Sequence, residues 1–176
     1  MERKGKGLRD FELLIHYPSS PEQVLQLLND PGFLEFRWTQ MPKIHCQVQV
    51  KPAGVGTFVS RAKVNIADVK TSSPYGQLLP EQLIIEVVEN WQDNPVLGLF
   101  AQGGFQMRME KVPLRVQAES TLESAGADGS KTLRRVTGNL SVDIPFIGGK
   151  VEREILSHLQ DLAHGEEGAA KCWLAK

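Results

Sequence analysis

The last third of the chain constrains the fold most, because a long strand pattern runs almost directly into a long helix pattern. Residues 131–144 alternate between apolar and polar side chains, and from position 136 the apolar ones share one face: Val136, Leu140, Val142 and Ile144. A period of two is typical of a strand whose sheet has one wet face and one buried face. Residues 145–149 (PFIGG) then form a turn, and a helical pattern continues to the C-terminus.

The C-terminal helical pattern carries an apolar stripe at Val151, Ile155, Leu159, Leu162 and Trp173. Such a stripe requires a partner surface along the length of the helix. Because a long strand precedes it, we expect a sheet that wraps around this helix and leaves room for a ligand between them. Two glycines, at positions 165 and 168, each cost about 1 kcal/mol relative to alanine inside a helix, so we predict a bend or fraying near them.

The rest of the chain supplies a first strand, two short helices and a succession of strands. Alternation predicts the first strand over 9–17, and Ser20, Pro21 and Gln23 form a capping-box start for a helix over 21–29. A second helical segment follows at 33–39, and a helical turn is expected at 75–79. The later strand patterns cover 43–51, 55–66, 81–91, 100–111, 113–123 and 131–144, and Gly104 and Gly138 within them mark points where a strand bends.

Runs of strands followed by a helix favour an α+β fold over a parallel α/β sheet. We therefore predict a curved antiparallel β-sheet of six to seven strands wrapped around a long C-terminal helix. At 176 residues the chain suits a single domain over 1–176, with residues 1–7 as a flexible tail.

Composition excludes several classes of function. Apolar residues make up 41% and charged residues 23%, which is typical of a globular protein, and the formal net charge of −1 argues against nucleic acid as a partner. No apolar run approaches the ~20 residues of a membrane span, so stable membrane insertion is not expected. The first residues lack the apolar core of a signal peptide, which makes the cytoplasm the expected compartment.

The sequence predicts no catalytic residue, no metal site and no cofactor. His158 and His164 are six positions apart and fall on different faces of a helix, so they do not form a metal pair. His45 and Cys46 are neighbours on a strand and point to opposite faces. Cys46 and Cys172 fit no metal or redox motif and are expected to be reduced thiols. No glycine-rich stretch has the lysine and spacing of a phosphate loop.

Three polar residues have two interpretations each. His158 lies beside Ile155 and Leu162, so it is either a histidine at the edge of the core or a polar group directed toward a pocket. Arg61 and Glu89 either lie on the wet face of the sheet, which the cost of burying an ion pair favours, or face inward and pair with each other. The long loop over 68–80 is either a lid or a passive connection.

Several motifs resemble the START-like helix-grip superfamily, also called the birch-pollen-allergen or SRPBCC superfamily. Within it, the chain is similar to an uncharacterised bacterial family of unknown function. The resemblance covers nearly the whole chain, and the motifs that carry it are Phe11-Glu12-Leu13, Tyr17-Pro18, Pro21-Glu22-Gln23-Val24, Leu79-Pro80, Glu89-Asn90-Trp91, Gly138-Asn139-Leu140-Ser141-Val142 and the segment 145–152 (PFIGGKVE). It implies an apolar pocket between sheet and terminal helix that takes lipids, sterols, quinones or polyketides.

We expect the protein to be a non-enzymatic carrier or sensor of a small hydrophobic ligand. The alternatives are a cyclase or dehydratase that uses His158 with Glu89 or Arg61, and an interaction domain whose cavity is filled by its own side chains. The residues expected to line the cavity are Phe58, Ala62, Ile85, Val87, Trp91, Phe105, Met107, Val116, Ala118, Val136, Leu140, Ile155, His158, Leu159 and Leu162.

Overall fold

Seven antiparallel strands form one curved sheet in the computed structural model, which describes residues 7–41, 45–67, 74–93 and 98–176. Their order across the sheet is β1-β7-β6-β5-β4-β3-β2. The bounds are β1 Arg9–Tyr17, β2 His45–Gly54, β3 Thr57–Asn65, β4 Gln82–Asp93, β5 Ala101–Met109, β6 Val112–Ala125 and β7 Lys131–Val142. The predicted α+β fold with an antiparallel sheet is confirmed.

Two short helices follow β1, as predicted: α1 Pro21–Leu28 and α2 Pro31–Thr39. The predicted N-cap of α1 is present, since the backbone N–H of Gln23 donates to Ser20 Oγ at 3.4 Å. Asp30 caps α2 in the same way, accepting from Gly32 N at 2.8 Å. A 3₁₀ turn at Gly76–Leu78 matches the predicted helical turn, whereas residues 68–73 of the proposed lid loop and 1–6 of the proposed tail lie outside the described residues.

One face of the sheet carries most of the buried side chains, and we call it the inner face. Residues directly opposite one another in neighbouring strands point to the same face. The register therefore defines rows across the inner face, one of which runs from β3 to β7 through Phe58, Glu89, Phe105, Ala118 and Gly138. Helix α2 packs against β2 and β3, while the C-terminal helices pack against β1 and β7, so the helices approach the inner face from two sides.

Two glycines in the sheet occupy positions where a side chain has no room. A Cβ at Gly138 would come within 2.1 Å of Gln117 O, and one at Gly103 within 1.8 Å of Asn90 O. Gly138 and Gly103 are therefore tight positions, whereas a Cβ added at Gly104 would meet the Asn90 side chain at 3.1 Å. The strand bends predicted at Gly104 and Gly138 stay predictions.

The C-terminal helix bends at His158, where it divides into α3 Gly148–Ser157 and α4 Leu159–Leu174. The predicted bend near Gly165 and Gly168 is wrong, because α4 continues through both glycines. The bend lies instead where the helix changes its packing surface: α3 contacts β7, and α4 contacts β1 and α2. A side chain at either glycine would meet no atom within 4 Å, so neither glycine is required by packing.

The bend also changes which residues of the helix face the sheet. Val151 and Ile155 of α3 pack against the sheet as predicted. In α4 the buried residues are small, namely Ala163, Ala169 and Ala170, whereas Leu162 is 47% exposed. Alanine side chains allow α4 to lie close to its neighbours, which a stripe of leucines would prevent.

The first turns of α3 are fixed to the sheet by a buried carboxylate. Glu152 is 1% exposed, and its Oε1 accepts from the backbone N–H of Val142 at 3.0 Å. Its Oε2 accepts from Arg9 Nε at 2.9 Å, which adds the start of β1 to the same contact. The segment 145–152 (PFIGGKVE), which joins β7 to α3, therefore ends with Glu152, the residue that holds this junction together.

We expect Glu152→Ala to lower the free energy of unfolding by about 1–3 kcal/mol, because it leaves the buried N–H of Val142 without an acceptor. Urea unfolding followed by circular dichroism measures this loss. The matched control is Glu154→Ala on the same helix, where the carboxylate is half exposed and lies 3.5 Å from His158; its effect is expected to stay below about 0.5 kcal/mol. Equal losses in the two variants would contradict the assigned role of Glu152.

Candidate functional site

Apolar side chains at the centre of the inner face remain partly accessible although helices flank them on both sides. Phe105 and Met107 on β5 and Ala118 on β6 are half-buried, as is Phe58 on β3. Phe105 and Met107 pack against two separate groups of buried residues, one on β3 and β4 and the other on β6 and β7. We call Phe58, Phe105, Met107 and Ala118 the apolar strip.

The eleven sheet residues expected to line a cavity all lie on the inner face. The register connects them in rows such as Val87, Met107, Val116 and Leu140, each directly opposite the next. They are Phe58, Ala62, Ile85, Val87, Trp91, Phe105, Met107, Val116, Ala118, Val136 and Leu140.

The four helical residues predicted to line the cavity do not all face the sheet. Ile155 packs against the group that contains Leu140, and Leu159 is half-buried. Leu162 is largely exposed, and the His158 side chain is 61% exposed. His158 stands at the bend between α3 and α4, where its ring lies 3.5 Å from Glu154 and 3.4 Å from Asp161. The structure therefore does not bring His158 to the inner face with the other residues.

Arg61 and Glu89 point to opposite faces of the sheet and do not pair. Arg61 is exposed and pairs with Glu86 and Glu110, as the favoured interpretation predicted. That interpretation was wrong for Glu89, which is 3% exposed. Glu89 lies two positions from both Val87 and Trp91 on β4 and shares their face, so the strand itself directs its carboxylate inward.

Two arginines compensate the buried charge of Glu89. Arg37 of α2 donates through Nη1 to Glu89 Oε1 at 3.3 Å and through Nη2 to Glu89 Oε2, a bidentate contact. Arg134 of β7 donates through Nη2 to Glu89 Oε1 at 3.1 Å and to Ser120 Oγ at 3.3 Å. Burying a carboxylate is costly unless it is paired in this way.

Glu166 of α4 joins the same group from the helical side. Its Oε1 accepts from the Tyr17 hydroxyl at 2.9 Å and from Arg134 Nη1 at 3.3 Å, and it lies 3.5 Å from Arg37 Nη1. We call Tyr17, Arg37, Glu89, Arg134 and Glu166 the charge cluster. It connects β1, α2, β4, β7 and α4, and through Glu89 it directly adjoins the apolar strip, since Glu89 lies opposite Phe58 and Phe105.

The electrostatics of the charge cluster move the pKa values of Tyr17, Arg37, Glu89 and Arg134 away from neutral pH. Burial alone would raise the pKa of Glu89, but Arg37 and Arg134 outweigh burial and hold that pKa below its usual value. Burial, with Glu166 adding to it, raises the pKa of Tyr17 well above that of a free tyrosine. Burial would lower the pKa of Arg37, yet its contacts with Glu89 and Glu166 raise it. Neither the Glu89 carboxylate nor the Tyr17 phenol is therefore poised for proton transfer at pH 7.

Within the described residues, no group of three or more His, Cys, Asp or Glu side chains is arranged to hold a metal ion. No helix in the described part of the chain is long and apolar enough to cross a membrane.

A family model described as "Protein of unknown function (DUF2505)" matches residues 12–174. The chain belongs to this family. No curated protein matches the sequence.

Solved structures with the same fold are distant in sequence. A START superfamily protein from Mycobacterium smegmatis is 16% identical, with a TM-score of 0.58 over 93% of this chain and 98% of that one. The Zhui aromatase/cyclase from Streptomyces sp. R1128 is 13% identical, with a TM-score of 0.57 over 93% and 91%. The human StarD13 (DLC2) lipid transfer and protein localization domain is 11% identical, with a TM-score of 0.55 over 92% and 79%. These likenesses show that this chain has the START-like helix-grip fold.

The sequence analysis missed most of the charge cluster, although part of the signal was present. Arg134 precedes Val136 by two positions on β7, so the alternation already places it on the inner face. Glu166 lies three positions from both Ala163 and Ala169, which puts it on the buried side of α4. Arg37 gave a weaker signal. It lies three positions after the buried Leu34, but α2 also carries Phe36 and Trp38 beside it, so the pattern does not identify one side that faces the sheet.

We expect Glu89→Ala to lower the free energy of unfolding by about 3–5 kcal/mol, because it leaves two buried guanidinium groups without their shared carboxylate. Chemical denaturation measures the loss. Glu86→Ala is the matched control, three positions away on the outer face, where Glu86 pairs with the exposed Arg61 and Arg108; an effect below about 1 kcal/mol is expected there. If the two variants lose the same stability, the charge cluster is not the structural centre described here.

The lowered pKa of Glu89 also predicts a dependence of stability on pH. Because the folded-state pKa lies below the unfolded one, the carboxylate adds stability above about pH 4.5, and this contribution is lost as the pH falls through the folded pKa. We expect the difference in free energy of unfolding between the native protein and Glu89→Gln to shrink from pH 7 to pH 3. Denaturation curves at several pH values measure it, and a difference that grows on acidification would show that the sign is wrong.

Proposed function

We propose that this protein binds a small apolar molecule between the inner face of the sheet and the C-terminal helices, as a non-enzymatic carrier or sensor. The observation that carries the proposal is the apolar strip. Phe105 and Met107 stand at the centre of the sheet, where a filled core would bury them completely, yet both remain half-buried. Partly accessible apolar side chains on a concave, helix-flanked surface are typical of a ligand site.

The shape of the fold supports the same proposal. Helix α2 lies over β2 and β3, α3 and α4 lie over β7 and β1, and α1 contacts β6 and β7, so the described helices pack mainly on strands other than β4 and β5. Apolar residues from both sides meet at Phe105 and Met107. A ligand there would bury its own apolar surface and that of the strip, at about 25 cal/mol for each Å² removed from water. Relatives in fold include a lipid transfer domain, and we extend that activity class to this chain as a proposal.

A catalytic role is the second candidate, because titratable side chains converge beside the apolar strip. Tyr17, Glu89 and Glu166 meet there, and an aromatase/cyclase shares the fold. In this alternative Glu89 is the candidate acid-base group. His158 and Arg61 take no part in it, because neither side chain lies on the inner face. The pKa shifts of Glu89 and Tyr17 away from neutrality favour binding over proton transfer.

The test of the proposed function is uptake of an apolar probe. Protein purified without detergent is titrated with N-phenyl-1-naphthylamine, whose fluorescence rises in an apolar site, and its organic extract is analysed by mass spectrometry. Saturable binding at one site per chain is expected. The absence of both probe binding and any extracted compound would refute the proposal. Recovery of a bound compound with its mass changed after incubation would favour the catalytic alternative.

A larger side chain placed in the proposed site should weaken binding of the probe. We expect Ala118→Phe to weaken N-phenyl-1-naphthylamine binding at least about tenfold, because the ring would occupy space above the apolar strip. The control is Gln117→Phe on the same strand, where the side chain points to the outer face and the same ring should leave binding unchanged. Thermal unfolding establishes that both variants are folded. Unchanged binding in Ala118→Phe would place the probe elsewhere.

A further inference from the structure

Phe146, in the loop between β7 and α3, combines two features that are unfavourable for a phenylalanine. Its backbone φ is +68°, in the left-handed region, and its side chain is 103% exposed. The left-handed conformation crowds the Cβ of a bulky residue, so positions of this kind usually carry glycine or asparagine. A fully exposed ring also leaves its apolar surface in water. Folding alone therefore does not explain a phenylalanine at this position.

The backbone around Phe146 is fixed on both sides, which holds the residue in this conformation. Gly148 N donates to Ile144 O at 2.9 Å, and a Cβ at Gly148 would lie 2.3 Å from Val142 O, so the loop turns in contact with the end of β7. Glu152 then binds the start of α3 to β7 and β1. Strained residues that the surrounding structure holds in place are concentrated at functional sites. Strain and exposure together indicate that Phe146 contacts something outside the chain.

Two other segments lie beside the Phe146 loop at the same end of the sheet. The turn between β5 and β6 carries Lys111, whose φ of +61° makes it the other described non-glycine residue in the left-handed region. This turn adjoins the end of β7, because Asp143 N donates to Pro113 O at 3.0 Å. Leu8 is 61% exposed and immediately precedes β1, whose first residues pair with the last part of β7. We call the segments 7–9, 110–113 and 143–153 the loop end.

Exposed cations accompany Phe146 at the loop end. They are Lys111, Lys150 and Arg153, and none of them forms a salt bridge within the described part of the chain. Long basic side chains cover neighbouring apolar groups with their methylene stems and keep the charge in water. An exposed aromatic ring with basic residues beside it is typical of a surface that enters the headgroup region of a membrane.

The acidic side chains of the loop end do not cancel these cations. Glu110 pairs with Arg61 of β3, and the buried Glu152 pairs with Arg9. The remaining carboxylate of the three segments is that of Asp143. Positive charge therefore predominates around Phe146, and a membrane that contains anionic lipids complements it.

A lipid bilayer fits this surface better than a second protein does. Of the exposed large apolar residues in the described part of the chain, only Leu8 and Phe146 lie at the loop end. A stable protein interface buries far more surface than two separate side chains provide. A membrane contact does not need such an area, because one ring enters the interfacial region while basic side chains bind lipid phosphates.

We propose that the protein docks reversibly on anionic lipid membranes through the loop end. Phe146 enters the headgroup region, and Lys111, Lys150 and Arg153 contact lipid phosphates. This inference goes beyond the proposed function and does not depend on it, because a protein can dock on a membrane without holding an apolar molecule inside.

The position of the loop end relative to the apolar strip gives the docking a use. Met109, Val112 and Ile144 lie near the loop end and are partly buried, and they pack against the same group of residues as Met107 of the apolar strip. Apolar side chains thus connect the strip to the end that would face the membrane. An apolar molecule that leaves the bilayer there would have a short path through water.

The experiment measures sedimentation of the full chain with lipid vesicles. Vesicles of phosphatidylcholine alone are compared with vesicles of equal parts phosphatidylcholine and phosphatidylglycerol. Phe146→Asn removes the ring and keeps a residue that accepts the left-handed conformation. Val55→Asn is the matched control, since Val55 is 104% exposed in the turn between β2 and β3, at the opposite end of the sheet. Lys150→Glu tests the charge separately from the ring.

We expect the native protein and Val55→Asn to bind the mixed vesicles more tightly than phosphatidylcholine alone. Phe146→Asn should weaken binding to the mixed vesicles about tenfold, because one buried ring is lost. Lys150→Glu should weaken it about fivefold. In urea, Phe146→Asn should unfold at the same or a higher concentration than the native protein, because asparagine relieves the backbone strain. A ring with a purely structural role would give the opposite result.

The proposal fails if the native protein does not sediment with the mixed vesicles, or if Phe146→Asn binds them as tightly as the native protein does. It also fails if Val55→Asn loses as much binding as Phe146→Asn. A native dimer in size-exclusion chromatography with light scattering that Phe146→Asn converts to a monomer would assign the ring to a second copy of the chain and overturn the membrane assignment. If Phe146→Asn does not fold, Lys150→Glu decides by the same measurement. Binding of N-phenyl-1-naphthylamine without lipid is unaffected by any of these outcomes, so the proposed function is judged separately.

Discussion

The carboxylate of Glu89, held between the guanidinium groups of Arg37 and Arg134, fixes the arrangement on which the remaining structure depends. It joins the middle of the sheet to α2 on one side and to β7 on the other, and Arg134 extends the contact through Glu166 to α4. An ionised group buried this deeply is stable only with its partners in place, so a displaced α2 would expose an unpaired charge to an apolar interior. Electrostatics thereby set the distance between helices and sheet.

That fixed distance accounts for the partial accessibility of the central inner face. At one end, alanines let α4 lie close to β1 and α2, and at the other, Val151 and Ile155 close α3 against the sheet. Between these ends the charge cluster holds α2 and α4, and the glycines at 103 and 138 let neighbouring strands approach closely. Phe105 and Met107 lie between these supports and are only half-buried. Rigid supports on either side keep the helices from collapsing onto them, as a flexible apolar core would do.

The fold and the inner face of the sheet were predictable from the sequence, because a strand repeats every two residues and one correct assignment fixes every side chain along it. The eleven sheet residues predicted to line a cavity all lie on that face for this reason. The orientation of the C-terminal helices was less predictable. The helix bends at His158, and His158 and Leu162 are exposed there instead of facing the sheet. The charge cluster joins residues separated by 52, 45 and 32 positions, so it depends on sheet register and helix placement that no local pattern carries.

A buried charge cluster beside an apolar strip is more than a means of stability, because well-packed apolar residues in its place are often as stable or more so. What apolar residues do not supply is a set of polar groups held in a defined orientation. An apolar surface alone gives no preferred orientation, whereas Glu89 positions Arg134, whose Cζ lies 5.2 Å from the centroid of the Trp91 ring. The same interaction that joins the sheet to the helices therefore also places polar side chains at one end of the apolar strip.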